Sequence, residues 1–186
     1  MANLPSVEAV RPGCCPHCQQ PSRPVGGRLM LHGHGLRPRR LRGPLSPNGA
    51  PEEVEVLLRR YLCQACGAVS AVGPAGIVFG RIYSAMAIGL ALWLYGVRQA
   101  SHPAIRRRVS PWPATTRDPA RTLWVTLVRW IEARRQGALF GRLRSPPPAA
   151  TRRQLAAQMA LALDALALTT ASSPSARVFD GATRAA

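Results

Sequence analysis

The chain has 186 residues, room for one ordinary domain or two small ones, and a formal charge of +17 from 25 basic and 8 acidic residues. Every basic residue is arginine, whose planar fork grips phosphate and never deprotonates, so the charge points to a polyanion, nucleic acid ahead of an anionic membrane surface. Residues 1–20 hold no apolar run of the secretory kind, and five cysteines in two close pairs suit metal ligands in a reducing compartment better than a disulfide framework, so a cytoplasmic, nucleoid-associated protein is expected.

Residues 1–12 read as a flexible leader. Residues 13–75 are rich in glycine, proline and arginine and open on "GCCPHC". Cys15 and Cys18 are two residues apart, and "CQACG" repeats that gap with Cys63 and Cys66. Such a gap lets one turn of chain place both sulfurs on a single ion, while backbone N–H groups of the turn stabilise the thiolates. Gly67 eases the second turn; Gln19 is a less usual occupant of the matching place. Two such knuckles supply four thiolates, a closed tetrahedral site that holds one structural zinc and leaves no position for a catalytic water. A redox pair would need a βαβ context that neither motif has. Cys14 is the rival donor; His17, His32 and His34 are expected to face solvent or phosphate. Between the pairs, "RLMLHGHGLRPRRLRG" suits one or two short strands with turns at its glycines. In "EVEVLLRRYLC", Val54, Val56 and Leu58 point one way along a strand, and Glu53, Glu55 and Leu57 the other.

Residues 76–144 carry apolar positions at helical spacing. The run 82–97 is shorter than the roughly 20 residues of a membrane span and is flanked by Arg81 and Arg98. Its large residues Ile82, Met86, Leu90 and Trp93 make one stripe, so a central bundle helix is expected and a membrane role is not. Ser101 and Pro103 start a short helix that Ser110-Pro111 ends, with Arg106, Arg107 and Arg108 available to phosphates near its C-terminus. Asp118, Pro119 and Gly137 bound a third helix. Leu123, Trp124, Leu127, Val128 and Ile131 form its apolar face. Arg121, Thr122, Val125, Thr126 and Arg129 form an outer face of the kind a recognition helix presents to DNA. The order of long, short and capped amphipathic helices suggests a trihelical, helix-turn-helix-like unit, although residues 110–118 are long for a tight turn.

"SPPPAA" at 145–150 reads as a linker, 151–168 as a helix opened by a Thr151/Gln154 capping box, and 169–186 as a disordered polar tail. Leu155, Met159, Ala162, Leu163 and Leu166 make the apolar stripe of that helix, suited to packing on the bundle or to dimerisation. The fold class expected is α+β: a small β zinc ribbon followed by a helical bundle.

The "CPHC" knuckle, the basic "HGHGLRPRRLRG", the strand into "RRYLCQACG" and then "FGRIYSAMAIGLALWLYG" resemble the N-terminal zinc-ribbon and helical region of bacterial insertion-sequence transposases, and more so their short relatives without a catalytic domain. The resemblance covers about residues 13–135. It implies Cys15, Cys18, Cys63 and Cys66 as ligands, Arg37, Arg39, Arg40 and Arg42 as contacts, and double-stranded DNA as partner. A transposase nuclease holds two metals with three carboxylates on a large domain. The stretch after 145 is too short for one, and Asp118, Glu132, Asp164 and Asp180 are scattered, so a non-enzymatic DNA-binding protein is expected. A protein adaptor serving a transposase or nuclease partner is the alternative. Base stacking is not expected at 5% aromatic content, with Trp112, in a loop, as the exception.

Overall fold

Three strands form one antiparallel sheet in the order β1-β2-β3: β1 is Leu31–Gly43, β2 Glu52–Cys63 and β3 Val69–Val72. The computed structural model describes residues 5–112, 123–141, 143, 149–168 and 173–186. β1 is one continuous strand of 13 residues, where one or two short strands with turns at the glycines were expected; Gly35 takes a positive φ of 80° within it. Pro38 is tolerated because β1 lies at the sheet edge, where a missing N–H breaks no ladder. β2 pairs with β3 from Arg59↔Val72 to Leu62↔Val69. The expected alternation holds over its first half, with Leu58 buried and Glu55 and Leu57 exposed.

The chain divides into two compact units, Met1–Arg40 with Glu55–Pro74, and Leu41–Val54 with Ala75–Ala186. The first has a very small core: Leu31, Tyr61, Cys15 and Cys63, with Val7 and Val72 against it. Residues 5–12, expected to be a loose leader, are tied down. The Tyr61 hydroxyl donates to the Val7 carbonyl at 2.7 Å, and Arg59 Nε to the Pro5 carbonyl at 2.6 Å.

In the second unit, Ser84 caps α1 (Ala85–Gly96), its hydroxyl accepting from the Ala87 N–H at 3.0 Å. The strand hairpin's tip is pinned there: Arg42 N–H donates to the Ile82 carbonyl and Ser84 N–H to that of Arg42, at 2.8 and 3.0 Å. α1 is buried nearly all round rather than along one stripe. Ala85, Ala87, Ile88, Leu90, Ala91, Leu92 and Tyr95 are all buried, whereas Ile82 lies before the helix and is exposed. No helix among the described residues is long and apolar enough to cross a membrane.

α2 is His102–Val109 and α3 Val125–Arg135. Gly137, at φ 73°, ends α3 as expected. Asp118, Pro119, Arg121 and Thr122 lie outside the described residues. Trp124 rather than Asp118 occupies the N-cap of α3. Trp124, Leu127 and Ile131 face the core with Trp130, while Leu123, placed on that face by its spacing, precedes the helix and is exposed. α4 (Arg152–Ala165) carries the predicted capping box and buries Leu155, Met159 and Leu163. α5 (Pro174–Ala185) replaces most of the expected tail, because Val178, Phe179, Ala182 and Ala185 make a buried face that a disordered segment would leave in water. Of the expected linker, residues 145–148 fall outside the described residues.

The bundle centre is therefore α1 with α4 and α5, rather than α1 with the next two helices. Glycine permits this closeness. A Cβ on Gly96 of α1 would strike the backbone of Ala157 in α4, and one on Gly181 of α5 would strike the Leu163 carbonyl. Alanine in a helix interior ordinarily stabilises by about 1 kcal/mol relative to glycine. Gly181→Ala should instead destabilise by ~2 kcal/mol or more, since backbone must move, and chemical denaturation will show the midpoint falling rather than rising.

Candidate metal centre and arginine-lined cleft

The two knuckles fold alike. Cys15 N–H donates to the Gln20 carbonyl and Gln19 N–H to that of Cys15; Cys63 N–H donates to Ala68 and Gly67 N–H to Cys63, all four at 2.9 Å. Each turn needs a left-handed residue directly after its second cysteine. Gly67 supplies φ 72° freely, and Gln19 supplies φ 59° under strain. Its side chain answers part of that cost, with Nε2 donating to the Pro16 carbonyl at 3.2 Å.

The sheet delivers Cys63 at the end of β2, and the knuckles bring Cys15, Cys18, Cys63 and Cys66 within 4.8 Å of one another, close enough to hold a metal ion. The Cys15–Cys66 and Cys18–Cys63 sulfurs are each 3.8 Å apart. Four thiolates at about 2.3 Å from a tetrahedral ion would have edges of about 3.8 Å, so the donor set fits one such ion. Cys15 and Cys63 are buried; Cys18 and Cys66 are exposed. Cys14 is outside the group, its thiol 3.5 Å from Gln19 Oε1. His17, His32 and His34 are also outside it and exposed, with His32 Nε2 bonded to the Leu29 carbonyl at 2.9 Å.

Electrostatics within the cluster are lopsided. The Cys18 N–H, with that of His17, pulls the Cys15 thiol down to about 6 against the desolvation that opposes it. Gln20 N–H favours a Cys18 thiolate too, but desolvation and the three neighbouring sulfurs outweigh it and push Cys18 up to about 12. A thiolate is favoured at Cys15 and resisted at Cys18. A divalent cation removes that resistance, and its binding must release protons.

The arginines singled out from the sequence fall in two groups. Arg37, Arg39 and Arg40 lie on β1 in the first unit, Arg37 and Arg40 exposed and Arg39 half-buried. The others described belong to the second unit. Arg108 is committed to structure, its guanidinium donating to the Gly49 and Pro47 carbonyls at 2.5 and 2.6 Å, and Arg107 is exposed. Arg42, Arg106, Thr126 and Arg129 converge on one cleft of ≈ 420 Å³, joined there by Arg81. Arg81 went unassigned in the sequence because it reads only as the polar end of an apolar run. Tyr83, Trp124 and Trp130 back the cleft in mutual edge-to-face contacts at 5.1–5.9 Å. Arg42 is oriented by Glu53 at 2.5 Å. No carboxylate lines the cleft among the described residues.

No protein family, curated protein or solved structure matches this chain.

Zinc titrated into the reduced protein should bind at one ion per chain. Cys15→Ser or Cys63→Ser should abolish stoichiometric binding and Cys14→Ser should retain it, as read by metal analysis. Because protons compete for the thiolates, affinity should weaken as pH falls from 8 towards 5. Gln19→Gly should stabilise the metal-loaded protein by about 0.5–1 kcal/mol, measured by denaturation, by relieving the left-handed strain.

Proposed function

We propose that the chain is a zinc-stabilised, arginine-rich DNA-binding protein without nuclease activity. In this reading the knuckle-bearing sheet is a zinc ribbon, and α2 with α3 serves as a helix-turn-helix-like unit. Soft thiolates favour zinc, and four of them close its coordination, so the ion's task is folding. The observation that carries the DNA reading is the convergence of Arg42, Arg81, Arg106 and Arg129 on one cleft, in a chain of net charge +17. Guanidinium groups suit phosphate, with which they make bidentate hydrogen bonds.

Acids give no nuclease centre in this reading. Glu132 pairs with Arg135 and Arg152, Asp164 with Arg177, and Asp180 with Arg184. Asp118 is outside the described residues. Among the described residues, the four cysteines are the one group of three or more His, Cys, Asp or Glu side chains placed to hold a metal. Strand cleavage would then belong to a transposase or nuclease partner, in keeping with the resemblance to transposase N-terminal regions, and the protein would work at the nucleoid.

Arginines contacting phosphate would provide sequence-independent affinity, and the exposed outer face of α3, Val125 and Arg129 with half-buried Thr126, any base readout. Affinity for duplex DNA should fall steeply with salt, with log K declining by about 0.9 per phosphate neutralised. Replacing Arg106 and Arg129 together by glutamine should lower that slope by about 2, measured by fluorescence anisotropy at several salt concentrations. Absence of binding at low salt would refute the reading.

A further inference from the structure

The cleft holds more than arginine. Trp112 contributes an indole that is 52% exposed, a large apolar surface to leave in water beside four guanidinium groups. Its position is fixed from two sides. The Trp112 N–H donates to Ser110 Oγ at 3.3 Å, and that hydroxyl accepts from the buried Tyr83 hydroxyl at 2.9 Å. The Arg42 guanidinium lies over the indole ring at 5.4 Å from its centroid, held there by Glu53. Trp124 and Trp130 of the same wall are buried instead, which leaves Trp112 as the ring that the cleft presents to solvent.

We propose that this cleft takes an unpaired nucleotide of DNA, its base stacked on Trp112 and its phosphates held by Arg81, Arg106 and Arg129. The inference rests on the DNA-binding reading and adds what part of the DNA enters. Phosphate alone would call for the arginines and not for an exposed, pre-placed aromatic ring. A duplex shows phosphates and groove edges but keeps its base faces stacked, so an aromatic platform is useful only for a base that has left the stack. The volume of ≈ 420 Å³ lies in the range of pockets that hold one small ligand, about 300–1,000 Å³. Thr126 and Ser110 in the walls add hydroxyls able to meet base edges or sugar. Every lining residue belongs to the second unit, so the site does not depend on the sheet's metal-bearing end.

The test compares a labelled blunt duplex with the same duplex carrying a short unpaired extension, by anisotropy at low salt, using the full zinc-loaded chain. The wild type should bind the extended duplex at least about fivefold more tightly, the lower end of what one stacked base contributes. Trp112→Ala should lose that preference and keep blunt-duplex affinity within about twofold; Trp112→Phe should restore part of the preference, which a merely structural role for the ring would not do. Equal binding of both duplexes by the wild type overturns this inference and leaves the DNA-binding reading standing, whereas failure to bind either overturns both. A free deoxynucleoside monophosphate that displaces the extended duplex as effectively as an unlabelled single strand would assign the cleft to a free nucleotide instead, and so overturn the assignment to DNA.

Discussion

Four sulfurs held within 4.8 Å of one another are the constraint on which the first unit rests. Two of them, Cys15 and Cys63, belong to its small buried cluster together with Leu31 and Tyr61. So few apolar side chains cannot offset the conformational entropy of ordering a loop-rich segment. The backbone amides of the first knuckle favour a thiolate at Cys15, while the crowd of sulfurs resists one at Cys18. A cation held among the four sulfurs would offset that resistance. The hairpin, the tethered N-terminal segment and the matched knuckles are arranged about that one point.

In the second unit the corresponding constraint is closeness. α1, α4 and α5 approach until backbone meets backbone, at Gly96 and Gly181, and small residues fill the remaining contacts. That closeness leaves α2 and α3 to the outside of α1, where the Tyr83–Trp124–Trp130 cluster joins α3 to the segment before α1. The cleft opens beside this aromatic joint, and its arginines come from four separate stretches of chain. Acids on the helices are paired with other arginines, while Glu53 of β2 pairs with Arg42 at the cleft.

The cluster of four cysteines was legible because a two-residue cysteine gap is a local rule, and the same backbone turn satisfies it twice. Gln19 was not fully legible: its left-handed φ follows from the turn, not from the residue's own preference. α5 carried a readable signal that its polar composition masked: Ser173 before Pro174, then Val178, Phe179, Ala182 and Ala185 at helical spacing. The choice of α1, α4 and α5 as the bundle's centre depends on which glycines meet which backbones, and periodicity within one helix does not encode that. The cleft was legible residue by residue, in Arg42, Arg106, Thr126 and Arg129, but not as a place. Arg81 and Trp112 join it only through the fold.

The strand hairpin has one more consequence. Its base, through Arg40 and from Glu55, lies in the cysteine-bearing unit, while its tip, Leu41–Val54, belongs with the helices and contributes Arg42 to the cleft and Gly43 to a close approach on Ala87. The two units thus alternate along the chain, each made of two separate stretches. No single cut separates them: a piece starting at Ala75 would lack one wall of the cleft, and a piece ending at Pro74 would carry that wall away with the cysteines. Recombination between genes can shuffle parts joined end to end, but parts threaded through each other are inherited together. A fragment that keeps the cleft whole must therefore keep strand β1, which begins in the cysteine-bearing unit.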